Sequence, residues 1–582
     1  MRPGKSATTV GVLFCLLAIL LVACGGGATG QSGTSTAKAP DEKQILISPI
    51  GNRSDIKSFD PARATDIDSI NAIQMVFTGL VSLNDKLQVQ DQLAASHTVS
   101  NDGLTYTFTL KPNLKFSDGT PLTSKDVAYS IDRALQPETK SAVAPTYLGL
   151  IKDADKLNAG KIKTIIGDSL LTPNDQTITI ILSQKAAYFL ETLTYNTSYV
   201  VEKSMIDKYG SNFPDHLSEG IGGAGPWKVS KYVRGQAIEF VPNPNYYGPK
   251  PQLKKVVMPF YKQSDTVWNV YQTGQVHSSG VPSAQIETAK KLPNHQYHQA
   301  PSLAIMFYAM NFLQKPFNNL KVRLAFALAI DKDAIAHNIY KDMVIPTNHI
   351  VPEGMPGYNP ALSGPQGAST KGNRELAKKL FDEGLKEEGL TASSLPPIVF
   401  STSAQSDTAR NEVAAVQQMW QSTLGISVKI DTMEFNKLSD QIDNTKNNPK
   451  GLQIWRADWY ADYPDPQDWL TLLFSKDSPK NAMNYGANST QQNADEQANQ
   501  QLMLQADANL NPTERMQQYN KAEQALVNDV AWIPLYQITS TYVLKPCVVG
   551  TVDNAQSLTP PDDWANIYIS NDPTCADVGQ YQ

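Results

Sequence analysis

Residues 102–130, which read DGLTYTFTLKPNLKFSDGTPLTSKDVAYS, decide the fold class. Apolar side chains alternate with threonine from Leu104 to Leu110, after an Asn-Asp-Gly turn signal. This pattern predicts a strand within a two-stranded unit over residues 96–123. A second turn signal follows, and Thr123 to Asp126 has the form of a helix start. The stretch therefore predicts strands and helices in one folded unit.

Helical and strand-like patterns alternate along the rest of the chain. Asn318 and Asn319 are cap candidates before a helix with Val322 and Phe326 on its apolar face. Residues 489–511 are rich in Gln, Asn and Ala, which predicts a surface helix. The alternation indicates an α/β or mixed α+β fold. Further amphipathic or strand-like segments lie at residues 376–380, 413–424, 428–430, 454, 543 and 548–549.

Length and composition narrow the class of protein. A chain of 582 residues implies several folded units or one unit with large lobes, and 41% hydrophobic residues exclude disorder throughout. The formal net charge is −6, and no block of Lys or Arg stands out. A protein that holds a phosphate backbone usually has a basic face, so composition argues against nucleic acid as a partner.

The N-terminus has the form of an export signal. Arg2 and Lys5 precede an apolar run at residues 10–22, which is shorter than the roughly 20 residues of a spanning helix. A small residue before Cys24 and a glycine after it are typical of the bacterial lipoprotein signal. The alternative is an ordinary secretory signal with an incidental cysteine. The lipoprotein interpretation predicts that residues 1–23 are removed and that Cys24 carries lipid.

The segment after the signal has the composition of a flexible tether, which we assign to residues 24–44. The protein is then expected outside the cytoplasm, attached to the outer face of the cell membrane only through the lipid on Cys24. If the cell has an outer membrane, this location is the periplasm.

Two cysteines, Cys547 and Cys575, remain after Cys15 leaves with the signal and Cys24 is lipidated. An even pair in an oxidising compartment is a disulfide candidate, and two free buried thiols are the alternative. Closing this loop would stabilise the fold by roughly 3–4 kcal/mol in the chain-entropy model. The spacing does not suit a metal site.

Motifs for catalysis are missing from the sequence. It has no P-loop, no nucleophile elbow, no HExxH zinc motif and no EF-hand loop, so we predict no cofactor, no metal and no catalytic residue. Asp462, Asp465 and Asp468 form the remaining cluster. Paired carboxylates serve glycosidases or hold calcium, but the two prolines among them fit loop capping better.

A series of short blocks gives a family resemblance. The blocks include SFDP at 58–61, VFTGLV at 76–81, KFSDGTPLT at 115–123, DVAYS at 126–130, GPWKV at 225–229, NPNYY at 243–247, KPFNN at 315–319 and IPLY at 533–536. In their order, from about residue 45 to 549, they resemble solute-binding protein family 5. These are the extracytoplasmic oligopeptide- and dipeptide-binding proteins of ABC importers.

The resemblance implies an α/β periplasmic-binding-protein fold of type II, the Venus-flytrap form, with an extra domain inserted in the first lobe. The two lobes would close over ligand about a hinge. Both candidate disulfide cysteines then fall in one lobe, so a bridge would not restrict closure. The implied boundaries are 45–77, 195–305 and 538–582 for lobe 1, 78–194 for the extra domain and 306–537 for lobe 2.

The resemblance is sharpest in RADWYADY, residues 456–463. It implies that Asp462 pairs with the α-ammonium of a bound peptide, because an enclosed charge needs a partner. Arg456 matches an arginine that meets the peptide's C-terminal carboxylate. The segments Asp458-Trp459-Tyr460 and Thr65-Asp66-Ile67 match edges that hydrogen-bond the ligand's main chain. Phe435 matches an aromatic side chain that lines a pocket.

The chain departs from the family at three positions. Asp458 stands where relatives have a small residue, and its carboxylate would change the pocket size or favour basic side chains. Ala304 and Tyr460 stand where some relatives have a disulfide, which indicates that the bridge has been lost. Peptide length and side-chain preference are therefore not determined by the resemblance.

The resemblance implies a monomeric lipoprotein that captures short peptides and delivers them to an ABC permease with ATPase subunits. It implies no catalysis. The alternatives are the same scaffold with another solute, such as nickel, haem or an oligosaccharide, a secreted hydrolase that uses the carboxylates of residues 462–468, or a receptor that senses peptides without transporting them.

Overall fold

The computed structural model describes residues 36–220, 222–403 and 406–582. The predicted signal peptide and Cys24 lie outside these residues. Part of the predicted tether is described, and it is docked on the fold. Ala39 is buried and its N–H donates to Ile569 O at 2.8 Å, while Lys38 forms a β-bridge with Ser570. The prediction of a tether to residue 44 is therefore wrong for its last residues, because main-chain hydrogen bonds hold them.

The strands of the described residues are numbered β1 to β20 in chain order. They are Ile45–Ile47, Ile50–Gly51, Val81–Leu83, Val89–Asp91, Ala94–Val99, Thr105–Leu110, Leu170–Asn174, Thr177–Ile181, Trp227–Val233, Ala237–Pro242, Lys255–Tyr261, Ser278–Gly280, Tyr297–Met310, Val344–Pro346, Ile398–Thr402, Val428–Thr432, Ile454–Tyr460, Ile533–Leu544, Val548–Val549 and Tyr568–Ile569.

The α-helices of the described residues are numbered α1 to α16 in the same way. They are Ile67–Val76, Ser124–Leu135, Ala144–Tyr147, Ala154–Asn158, Phe189–Thr192, Lys203–Tyr209, Ser264–Gln272, Ile286–Ala289, Leu320–Leu328, Lys332–Asn338, Arg374–Glu387, Asp407–Leu424, Phe435–Asp443, Thr471–Phe474, Asn493–Asp507 and Pro512–Asn528.

The stretch that decides the fold class forms the elements that its pattern predicts. Strand β6 buries Tyr106, Phe108 and Leu110 on one face, and helix α2 begins after a capping box between Thr123 and Asp126. Strands β5, β6, β8 and β7 form an antiparallel sheet in this order, and α2 packs on it. This sheet and helix lie inside residues 78–194, the range expected for the inserted domain.

A second sheet has the order β1-β11-β10-β9, with β2 also paired to β11. Its strands fall within the ranges expected for the first lobe. Cys547 and Cys575 form a disulfide beside the buried core of this lobe, with a Cα–Cα distance of 5.3 Å. The buried His277 ring accepts a hydrogen bond from Ile47 N–H through Nδ1, and its Nε2 lies 3.2 Å from Cys575 Sγ.

The third sheet has the order β12-β18-β13-β17-β15-β16, with β14 also paired to β18. Strands β13 and β18 are its longest members, and the expected lobe boundaries at 305/306 and 537/538 fall inside them. The pairing of these two strands is irregular between Pro301 and Ile305. Two continuous strands therefore cross both expected lobe boundaries.

Helix α15 confirms the prediction of a helix within residues 489–511, but it is not simply a surface helix. Glu496, Asn499, Gln500 and Met503 are buried on one face. Gln500 Nε2 donates to two main-chain carbonyls at 2.7 and 2.8 Å, which satisfies a buried amide. The polar composition of this segment therefore did not indicate that one face of the helix is buried.

We expect the disulfide to contribute to stability without a role in the cleft. A Cys547→Ser, Cys575→Ser double variant should lose roughly 3–4 kcal/mol of unfolding free energy, because its unfolded chain is no longer cross-linked. Urea unfolding followed by circular dichroism measures this loss. Reductant should lower the stability of the wild type and leave the double variant unchanged. If the wild type and the double variant were equally stable without reductant, the stabilising role of the Cys547–Cys575 disulfide would be contradicted.

Candidate functional site

Strand β17 is paired unequally on its two edges. On one edge β13 pairs with it over its full length, from Ile454 to Tyr460. On the other edge the register with β15 reaches only Ile454 and Trp455. Among the described residues, no strand continues this second edge beyond Trp455. The last residues of β17 therefore present a free sheet edge.

The hydrogen bonds to β13 determine which main-chain groups face the free edge. Ala461 N–H donates to Leu303 O at 2.8 Å across the pair. Hydrogen-bonded and non-hydrogen-bonded pairs alternate in an antiparallel ladder, so Trp459 also bonds to β13. The N–H and C=O groups of Asp458 and Tyr460 point the opposite way, to the free edge.

Ala304 and Tyr460 are directly opposite in the β13–β17 ladder. The same alternation makes them a non-hydrogen-bonded pair, in which side chains lie closest. The family resemblance assigned the lost disulfide to these two residues, and their adjacency agrees with that residue assignment.

Asp462 follows β17 and lines a cavity of about 420 Å³, here called the first cavity. Thr65, Ile67 and Tyr460 line it too. Ile67 and Tyr460 are 51% and 55% exposed, so this cavity keeps large apolar side chains in contact with solvent. Among the described residues that line it, only Asp462 carries a charge.

The Asp462 carboxyl is enclosed but has no cationic partner in an ion pair among the described residues. Burial raises its pKa to about 6, while the hydrogen bond with the Tyr147 hydroxyl and the charge of Lys480 oppose the increase. Its main-chain N–H donates to Asp468 Oδ2 at 3.1 Å. A negative group that lacks a cation in an enclosed cavity is suited to bind a ligand cation.

The other two carboxylates of this run have structural partners. Asp465 accepts from Gln467 N–H at 2.9 Å and from Arg515 Nη2 at 2.6 Å, so the loop-capping interpretation holds for it. Asp468 is fully buried and accepts from the Trp459 indole N–H at 3.2 Å. Burial, followed by the charge of Asp462, raises the pKa of Asp468 well above its usual range. Neither residue lines the cavities, so the geometry does not favour a hydrolytic pair.

Arg456 and Phe435 lie apart from Asp462, in a second cavity of about 530 Å³. The Arg456 guanidinium donates from Nε and Nη2 to the buried Glu412 carboxylate at 3.0 and 3.1 Å. Hydroxyls of Tyr308, Tyr340 and Tyr536 donate to the same carboxylate at 2.6–2.8 Å.

Glu412 neutralises most of the positive charge of Arg456, the residue that the sequence analysis predicted to meet the ligand's carboxylate. Burial acts to raise the pKa of Glu412, but Arg456 and the hydroxyls together lower it. Sequence reasoning missed this residue. A signal existed, because Glu412 lies three residues after the buried Ala409 and four before the buried Val416, on the apolar face of α12.

The side chains of two residues in the predicted main-chain contact segments have partners within the protein. The Asp66 carboxylate caps α1, accepting from Ser69 N–H at 3.1 Å and Ser69 Oγ–H at 2.7 Å. The Trp459 side chain packs against a buried cluster and donates to Asp468. Neither lines the first or second cavity. The sequence analysis assigned ligand contact to the main chain of these two segments, and that assignment stays a prediction.

One group of metal-capable side chains converges among the described residues: His277, Cys547 and Cys575. The two sulfur atoms are joined in the disulfide, and His277 Nδ1 accepts from Ile47 N–H, which places the ring proton on Nε2. This arrangement does not fit a metal ion. No helix in the described part of the chain is both long and apolar enough to cross a membrane.

Comparisons with known proteins agree on one family. The model of bacterial extracellular solute-binding proteins, family 5 Middle, matches residues 88–481. The oligopeptide-binding protein OppA of Bacillus subtilis (strain 168) is 28% identical over 555 residues, covering 94% of this chain and 97% of that protein. The periplasmic oligopeptide-binding protein OppA of Salmonella typhimurium is 28% identical over 576 residues, covering 97% and 98%.

Solved structures give the same result. The unliganded open form of the periplasmic murein tripeptide binding protein MppA superimposes with a TM-score of 0.74 at 25% identity. The alignment covers 92% of this chain and 99% of that one. A structure of the Escherichia coli murein tripeptide binding protein MppA gives a TM-score of 0.70 at 26% identity, with 92% and 100% coverage.

The enclosed charge of Asp462 should destabilise the ligand-free protein. Its pKa in the folded protein is higher than in the unfolded chain. The resulting loss of unfolding free energy is therefore absent below about pH 4, grows between about pH 4 and 6, and is complete above about pH 6. Asp462→Asn should therefore increase the unfolding free energy at pH 7.5 by up to about 3 kcal/mol.

Urea unfolding at several pH values measures this effect, with Asp477→Asn on the exposed surface as the matched control. The advantage of Asp462→Asn should shrink as the pH falls from 7.5 to 4.5. A variant no more stable than wild type at pH 7.5 would show that the Asp462 carboxylate is not enclosed.

Proposed function

The chain belongs to the bacterial extracellular solute-binding proteins of family 5, and from this premise we propose that it captures short peptides in the cleft beside β17. Its two-lobed type II fold with an extra domain is that of the family. The observation that carries the proposal is the free edge of β17, which ends at an enclosed carboxylate without a cation.

Asp462 is the proposed partner of the ligand's α-ammonium. An ammonium that enters the first cavity loses water, and this loss is tolerated when an opposite charge and hydrogen bonds replace the hydration. Asp462 offers the one charge of that cavity among the described lining residues. Binding gives this enclosed carboxylate a cationic partner in the folded state only, so it also stabilises the protein.

The free edge of β17 is the proposed site for the ligand's main chain. With the α-ammonium beyond the C-terminal end of β17, the ligand extends back toward Arg456 and so runs antiparallel to the strand. The main-chain groups of Tyr460 and Asp458 face it there, which is recognition by β-augmentation. Thr65 and Ile67 line the first cavity from a different element and would contact the first residues of the ligand.

Arg456 has a smaller proposed role than the resemblance implied. Its Nε and Nη2 bond to Glu412, so Nη1 is the atom left to meet a ligand carboxylate. Because Glu412 already neutralises the guanidinium, the C-terminal carboxylate gains less here than the α-ammonium gains at Asp462. Phe435, 61% exposed at the second cavity, would contact the C-terminal part of the ligand.

The remaining parts of the proposal concern location and delivery. The family is extracytoplasmic, and we propose that lipid on Cys24 anchors this monomer to the membrane. Closure would use β13 and β18, which run through both lobes and are irregular at Pro301. The closed complex would then dock on an ABC permease, whose ATPase subunits supply the energy.

Mass spectrometry of ligand released from the purified protein would identify the solute.

Chemical blocking of the two peptide ends should have unequal effects. N-acetylation of a tetra-alanine peptide should weaken binding by a factor of at least 100, because it removes the only cation for Asp462. C-terminal amidation should weaken binding by less than tenfold, because Glu412 already neutralises Arg456. Isothermal titration calorimetry on the mature protein measures both ratios.

Asp462→Ala should give the same loss as N-acetylation, and the acetylated peptide should lose nothing further on this variant. Asp477→Ala on the exposed surface is the matched control. Unchanged affinity of Asp462→Ala for the free peptide would refute the role of Asp462. If amidation weakened binding more than acetylation does, the C-terminal carboxylate would contribute more to affinity than the α-ammonium, which would contradict the proposal.

A further inference from the structure

We propose that the cleft selects peptides with a basic side chain at the third residue, which the Asp458 carboxylate reads. This inference rests on the proposed function and adds a specificity position to it. It starts from the location of Asp458 in β17, between Arg456 at the second cavity and Tyr460 at the first cavity.

The Asp458 carboxylate is available to a ligand. Its side chain is exposed, and among the described residues no other side chain forms a hydrogen bond or an ion pair with it. Arg456 is close enough to act on its charge, but the guanidinium bonds to Glu412 instead. Asp458 therefore contributes a negative charge that the neighbouring arginine does not neutralise.

Asp458 lies in β17 between residues that line the two cavities, although it lines neither cavity itself. Desolvation raises the pKa of its carboxyl, and Arg456 only partly opposes this effect. Burial and, after it, the Asp458 charge raise the pKa of Tyr460 to about 12, which agrees with two side chains on one face of the strand.

The register of the free edge gives the ligand position. Tyr460 and Asp458 are two residues apart, and both turn their main-chain groups to this edge. In an antiparallel pairing, a ligand whose first residue opposes Tyr460 has its third residue opposite Asp458. Directly opposed side chains share one face, with Cβ atoms about 5 Å apart. The ammonium of a third-residue lysine would then meet the Asp458 carboxylate.

The experiment compares two peptides that differ in one charge, Ala-Ala-Lys-Ala and Ala-Ala-norleucine-Ala. Isothermal titration calorimetry is run on the mature wild-type protein and on Asp458→Asn. The wild type should bind the lysine peptide at least tenfold more tightly, and Asp458→Asn should remove this preference. Moving lysine to the second residue should also remove the preference.

The outcomes separate this inference from the function it rests on. Tight binding of both peptides with equal affinity would overturn the specificity position and leave peptide capture intact. A lysine preference that persists in Asp458→Asn would overturn it as well. If the wild type binds neither peptide nor tetra-alanine, the proposed function and this inference fail together. Thermal unfolding of Asp458→Asn should be cooperative, with a midpoint no lower than that of the wild type, which would show that the variant is folded.

Discussion

The unequal pairing of β17 is the constraint on which the rest of the cleft depends. Strand β13 holds one edge over seven residues, while β15 releases the other after Trp455. A free edge carries unpaired donors and acceptors, which proteins usually cover or protect. Here the edge runs between residues that line two cavities, and in the proposed binding mode its unpaired groups hydrogen-bond an extended ligand.

The Arg456–Glu412 ion pair stabilises the position of β17. The two charges, both largely buried, satisfy each other through two hydrogen bonds, and three tyrosine hydroxyls complete the shell around the carboxylate. Removing one member of such a pair leaves an uncompensated charge, which costs far more than the pair contributes. The pair joins β17 to α12 and thereby holds the strand in position while its other edge stays free.

Local patterns predicted the elements, whereas long-range pairing determined the site. The alternation at residues 104–110 and the capping box at Thr123 act within a few residues, so the sequence alone was sufficient for both. Glu412 meets Arg456 across 44 residues and Asp465 meets Arg515 across 50, and no periodicity records such distances. Family resemblance gave the predicted ligand-binding roles of Asp462 and of the strand beside it, but it could not reveal that Arg456 is neutralised, that Asp66 caps a helix or that Trp459 packs inward.

Along β17 and at Asp462 just after it, the negative side chains lack cationic partners among the described residues, while the positive side chain has an anionic one. In the described part of the chain, neither Asp462 at the end of the strand nor Asp458 in mid-strand forms an ion pair with a cation, whereas the positive group at the start is neutralised by Glu412. The cleft is therefore net negative along the ligand's path, although Arg456 lies in it. A ligand with a positive leading end gains at Asp462 in one orientation, and in the reverse orientation its carboxylate would face that same negative group. In the proposed binding mode, electrostatics thus sets the direction of the peptide, and main-chain hydrogen bonds to the free edge would supply affinity for any sequence that runs in that direction.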